Sequence, residues 1–193
     1  METEPKASKI LTSRTDTVDT TPMSTAIVWF RRDLRLADHP ALAAAMAAHE
    51  RILPIYIHAP DEDGAWAPGA ASRWWQHHSL TSLDASLHRH HGALQLLHGP
   101  SLEALRAAIE ASGASAVYFH RLYEPLSLRR DAAIIKALED DGIEVHVLNG
   151  SLWCEPWELA TKQDEPYKVF TPFWRNLRPR IDGSDPMPAP SPL

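Results

Sequence analysis

Two short polar clusters hold most of the residue types able to do chemistry. Arg31-Arg32-Asp33-Leu34-Arg35 follows one apolar run, and His120-Arg121-Leu122-Tyr123-Glu124-Pro125 follows another. Arginine forks bind carboxylates, phosphates and polar ring edges through paired hydrogen bonds. Three arginines and Asp33 on one loop, facing Arg121 and Glu124 on the other, therefore make a rim able to hold an anionic or heteroaromatic ligand. The same groups can instead pair with one another and staple the two loops together. Both readings stay open at the level of the sequence.

Other chemistries are poorly served. Neither G-x-G-x-x-G nor G-x-x-x-x-G-K-[ST] occurs, and arginines stand where a pyrophosphate-binding loop needs glycines. No G-x-S-x-G elbow presents a serine nucleophile. Among the 11 histidines, His77 and His78 are adjacent and diverge on a helix. His88 and His91 share a face, but no carboxylate stands in their turn, so no metal site is assigned. Cys154 is the single cysteine. It permits no intramolecular disulfide or cysteine-based zinc site, and it reads as a small, half-buried residue in a reducing cytosol.

The rim forms only if the two apolar runs lie side by side. Ala26–Phe30, Ile52–Ile57, Leu94–Leu97, Ala116–Phe119 and Ile143–Leu148 read as five strands, the first two as buried ones. Helical spacing separates them. Pro40 opens a helix over Ala41–Ala48, and Ala70–His91 carries Trp74, Leu80, Leu83 and Leu87 up to Gly92. Ser101 is placed to cap a helix striped with Leu102, Leu105 and Ile109, and Ser127 one with Leu128, Ala132, Ile135 and Leu138 inward. The adjacent Trp74 and Trp75 cannot share a face, so one is expected in the core. Strand–helix alternation predicts an α/β, Rossmann-like doubly wound five-stranded parallel sheet with helices on both faces. The expected order 3-2-1-4-5 puts the ligand crevice between the first and fourth strands, where both clusters leave the sheet.

The 193 residues suit one domain with tails; 44% are hydrophobic and 23% charged, as in an ordinary globular protein. A net charge of −6 argues mildly against a general nucleic-acid binder. No apolar run reaches transmembrane length, and the polar N-terminus lacks a secretory core. A cytoplasmic location is expected. Residues 1–24 read as a disordered extension and 25–152 as the α/β domain. Residues 153–193, rich in aromatics and proline, read as an interdomain linker.

Val28-Trp29-Phe30-Arg31-Arg32-Asp33-Leu34-Arg35-Leu36, with Asp38 and Pro40-Ala41-Leu42, closely resembles the opening of DNA photolyases and cryptochromes. Ala71-Ser72-Arg73-Trp74 resembles the helix after their second strand. Arg121, Tyr123-Glu124-Pro125 and Arg130-Asp131 are similar to their fourth strand and following helix, and Tyr167–Trp174 to their exit from the α/β domain. The resemblance implies an antenna-binding domain, normally followed by a helical domain that holds FAD, the electron-transfer tryptophans and the DNA-binding face. It implies that the chain ends before that domain, which would be its packing partner and its only route to DNA. It also implies a monomer without catalytic residues of its own, inactive alone, in a protein that splits cyclobutane pyrimidine dimers with light. A cryptochrome-type photoreceptor and a stand-alone small-ligand module are the alternatives. The antenna crevice would comprise Arg31, Arg32, Asp33, Arg35, Arg121, Glu124 and Ser127. Folate-binding members carry Asn-Glu where this chain has Leu126-Ser127, so a deazaflavin or flavin antenna, or none, is as compatible as folate.

Overall fold

The computed structural model describes residues 24–190 apart from 162, 164, 182 and 184. The expected N-terminal extension lies almost wholly outside the described residues. A strand as apolar as Ala26–Phe30 must be covered on both sides. It becomes β1 (Thr25–Phe30), the middle of a five-stranded sheet ordered β3-β2-β1-β4-β5. The others are β2 (Arg51–His58), β3 (Gln95–His98), β4 (Ala116–His120) and β5 (Glu144–Leu148). Every pairing is parallel. β1 and β4 are neighbours in space but not in sequence, so the order reverses between them, as the alternation predicts.

The period-two alternation of β1 sorts its side chains into two cores. Ile27 and Trp29 meet α3 (Ser101–Ser112) and α4 (Pro125–Asp140), through Leu105, Ala108, Ile134 and Leu138. Ala26, Val28 and Phe30 meet α1 (Pro40–Ala48) and α2 (Ala70–Arg89), through Ala41, Leu42, Leu83 and Leu87. Burying each large apolar side chain stabilises by roughly 1.5–3 kcal/mol. Among the described residues no helix is long and apolar enough to cross a membrane.

Four local expectations are corrected. Ser101 and Ser127 do not cap: the helices begin at Ser101 and Pro125, with Pro100 and Glu124 at the caps and no side-chain cap bond. Pro125 fits that first position because its fixed φ is already helical. In α4 the buried face is Ser127, Asp131, Ile134 and Leu138, while Leu128 is exposed and Ile135 only partly buried. The helix is turned from its apolar stripe because Asp131 pairs inward with Arg31. Trp74 and Trp75 are 62% and 68% exposed, so neither is core. Helix α2 reaches the sheet through Leu83 and Leu87, late in its length.

The segment after β5 carries α5 (Phe170–Leu177), which showed no clear periodicity in the sequence. Leu159 and Leu177 are buried, and Asp38 N–H donates to the Met187 carbonyl at 2.8 Å. The segment therefore folds back on the domain.

Candidate functional site

The chain leaving β1 turns at once, and its first residue points inward. The Arg31 guanidinium lies 4.8 Å from the Trp29 ring centroid and 4.7 Å from that of Phe119. Those rings meet edge-on at 5.3 Å. Arg31 Nη1 donates to Asp131 Oδ2 at 2.6 Å, and Nη2 donates to the His120 carbonyl. Both side chains of the pair are more than nine-tenths buried. Burial lowers the Arg31 pKa from its usual value, and the Asp131 charge and hydrogen bond oppose that fall. Asp131 also accepts from Arg130 Nη2 at 2.9 Å, and Arg130 Nη1 reaches Glu62 at 3.4 Å. A line of alternating charge, Glu62–Arg130–Asp131–Arg31, thus crosses the carboxyl end of the sheet.

Asp33 organises a second set. Its Oδ1 accepts the Arg31 backbone N–H at 2.8 Å. Its Oδ2 lies 2.5 Å from His120 Nδ1 and 3.0 Å from His39 Nε2, the latter without hydrogen-bond alignment. The far nitrogens are engaged too: His120 Nε2 accepts from Ala41 N–H at 3.1 Å, and His39 Nδ1 from Leu42 N–H at 3.0 Å. Those are orphan donors of the first turn of α1. A neutral ring with one nitrogen accepting carries its proton on the other, so both rings turn N–H groups toward Asp33. Burial opposes the Asp33 charge, but His120 and His39, with the Arg31 N–H, hold its carboxyl well below the usual carboxylate range. Burial likewise lowers the His39 pKa.

These three residues offer ligand atoms within 4.8 Å of one another. An ion there would need bare nitrogens facing Asp33, and each ring already spends its other lone pair on the helix. The set is built to hold protons and to cap α1. His39 and His120 are packed ring on ring at 4.2 Å, and Gly150 lies so close to His120 that a Cβ would collide with the imidazole.

The remaining rim residues pair. Arg32 pairs with Glu124 at the surface. Arg35 Nη2 donates to the carbonyls of Asp38 and Gly150, at 2.9 and 2.8 Å. Arg121 lies 5.0 Å over the Trp157 ring, with its Nε 3.8 Å from Glu155. Tyr123 donates to Glu155 at 2.9 Å, and burial together with that carboxylate pushes its phenol up to about 12.

Arg31, Arg32, Asp33, Arg35 and Arg121 do converge, around a cleft of about 80 Å³. Glu124 joins them through Arg32, whereas Ser127 is buried in the first turn of α4 and lines neither that cleft nor its larger neighbour. A second cavity, about 170 Å³ and larger than that cleft, opens beyond the ends of β1 and β2. Trp29, Tyr56 and Trp66 supply aromatic walls, and Arg32, Arg73 and Arg130 supply positive charge against Asp63. Gln76 donates to the Tyr56 hydroxyl across it. Tyr56, Trp66, Arg73 and Gln76 do not figure among the sequence-derived rim residues. Arg73 stands in the Ala71–Trp74 stretch that resembles the family, whereas Tyr56, Trp66 and Gln76 are signalled only by lying between the end of β2 and the first two turns of α2.

The family profile described as DNA photolyase matches residues 26–192. The chain is 43% identical over 165 residues to a deoxyribodipyrimidine photo-lyase of Agrobacterium fabrum, covering 86% of this chain and 33% of that protein. It is 43% identical over 151 residues to cryptochrome-2 of Arabidopsis thaliana, covering 77% of this chain and 24% of that protein. A bacterial class III photolyase from Agrobacterium tumefaciens superposes with a TM-score of 0.81 at 39% identity, over 92% of this chain and 36% of that one. A Synechocystis cryptochrome superposes at 0.77 and 26% identity, over 88% and 37%. The chain thus spans about a quarter to a third of the length of these curated relatives.

Proposed function

This chain belongs to the DNA photolyase family, and from that premise we propose that it is the light-harvesting part of a deoxyribodipyrimidine photo-lyase. The observation carrying the proposal is the cavity beyond β1 and β2. It is lined by Trp29, Tyr56 and Trp66 and rimmed by Arg32, Arg73 and Arg130. Aromatic walls favour a planar ring system by offset stacking, and arginines favour its anionic or carbonyl edges. Those residues fit an antenna chromophore, which when bound absorbs light and passes the excitation on. Tyr56 would bind its ring, Gln76 would orient a polar edge, and Trp66 would keep water from its outer face.

The reaction centre, with its FAD and its DNA contacts, belongs in this proposal to a helical domain outside these residues, and the chain alone splits no dimers. The antenna is a flavin or deazaflavin sooner than a folate, because Leu126 and Ser127 offer no carboxylate. The working form is a cytoplasmic monomer. Titration of the purified chain with FMN, a 5-deazaflavin and methenyltetrahydrofolate tests the reading. One of them should bind one-to-one, and Ala59→Trp, which fills the cavity, should abolish that binding. No binding by any of the three, or binding that Ala59→Trp leaves intact, overturns it.

A further inference from the structure

The outer wall of the larger cavity is a 3₁₀ segment, Pro60–Trp66, together with the short stretch leading into α2. It is fastened at two points. Near its start, Glu62 accepts the Ser101 N–H at 2.6 Å and the Ser101 hydroxyl at 2.5 Å, and it sits 3.4 Å from Arg130. Beyond its end, Arg73 Nη1 donates to the Pro68 carbonyl at 2.7 Å. Between those anchors no residue of the segment is buried. A stretch with few buried contacts between fixed points is the kind that opens locally at little cost.

Two residues give that stretch a specific capacity. Gly64 stands at φ +52°, ψ −124°, outside helical geometry, which an L side chain would resist. Two residues on, the Trp66 ring borders the cavity while remaining 84% exposed. An indole so exposed contributes little to the core, yet it lines a space of about 170 Å³ together with the buried Trp29 and Tyr56. A planar ring held in that space would lie within reach of the Trp66 indole.

Resting on the antenna reading, we propose that Trp66, hinged at Gly64, is a lid that closes on a flat heteroaromatic ligand in this cavity and sets how long the ligand stays. Glu62 and Arg73 are the fixed posts of the lid, and the ligand class is a fused-ring heterocycle with an anionic or carbonyl edge directed at Arg32 and Arg73.

The test uses the full chain and whichever of FMN, 5-deazaflavin or methenyltetrahydrofolate it binds. Stopped-flow displacement should show Trp66→Ala raising the dissociation rate by about tenfold or more, as loss of an aromatic stacking partner does. The association rate should change by less than about threefold, since affinity is tuned mostly through dissociation. Trp66→Phe should restore most of the residence time. Iodide should quench the bound probe's fluorescence more strongly in Trp66→Ala, a change that a merely structural role would not produce. Trp153→Ala, an exposed tryptophan outside the cavity lining, should leave both readouts unchanged. A dissociation rate and quenching in Trp66→Ala within twofold of the parent overturn the lid while leaving the antenna reading intact. Failure of all three probes to bind the parent overturns both.

Discussion

Removing the Asp131 carboxylate is the sharpest test of how this domain is held together. Arg31 and Asp131 are 2.6 Å apart with side chains 6% and 7% exposed, so Asp131→Ala strands a guanidinium where water cannot reach it. Breaking a buried pair from one side costs about 3–5 kcal/mol. Two compensations survive here: the His120 carbonyl still accepts from Nη2, and the Trp29 and Phe119 ring faces still flank the cation. The expected loss therefore sits at the low end, about 3–4 kcal/mol, a large share of the roughly 5–15 kcal/mol available to a domain. With a urea slope near 2 kcal/mol/M the unfolding midpoint should drop by about 1.5–2 M, read by tryptophan fluorescence and circular dichroism. Two controls bracket the value. Lys136→Ala breaks an equally short pair whose side chains are 76% and 66% exposed, and should cost at most about 0.5 kcal/mol. Arg31→Met with Asp131→Leu removes both charges and should return to within about 1 kcal/mol of the parent. A loss below about 1 kcal/mol for Asp131→Ala would refute the reasoning, because the pair would then behave as a surface contact.

The pH profile follows from two groups whose shifts act in the same direction. His39 is held below its ordinary 6.5, burial being the largest cause; the folded ring binds fewer protons than the unfolded one, so stability should fall as pH drops below about 6.5. Asp33 is held below its ordinary 3.8, its histidine partners outweighing burial, and a second decline should begin below about pH 4. Urea midpoints that rise on acidification would contradict both. Gly150→Ala drives a methyl into the His120 ring; overpacking of this kind should cost about 1–3 kcal/mol and be visible as a lowered melting temperature. Glu62→Ala removes the acceptor for two groups at the start of α3, and should cost about 1–2 kcal/mol by denaturant titration, with faster proteolysis within Pro60–Trp66.

How much of this was legible in the sequence depends on whether a feature is local. The strands are short apolar runs, so all five could be placed to within about two residues, and their alternation with helices pointed to the order and the switch point. The arginine-rich loop was placed by the same rule. Which arginine turns inward was not legible, because Arg31 is decided by Asp131, 100 residues away. The same long-range pair rotated α4 away from its apolar stripe, since a charged residue reads as a solvent face until its partner is known. Nothing in the sequence singles out His39 or pairs it with His120; their role appears only when Asp33 and the first turn of α1 converge on them. The cavity shows the limit most clearly. Strand order locates the reversal between β1 and β4, but the space beside it is set by what fills it. Arg31, Asp33 and His120 pack the β1–β4 side down to a cleft of about 80 Å³. On the β1–β2 side, Tyr56 and Trp29 meet a loop that buries none of its own residues, and about 170 Å³ is left open. The ion pairs fill the β1–β4 side of the sheet end and leave the β1–β2 side open, which is where the proposed aromatic ligand would sit.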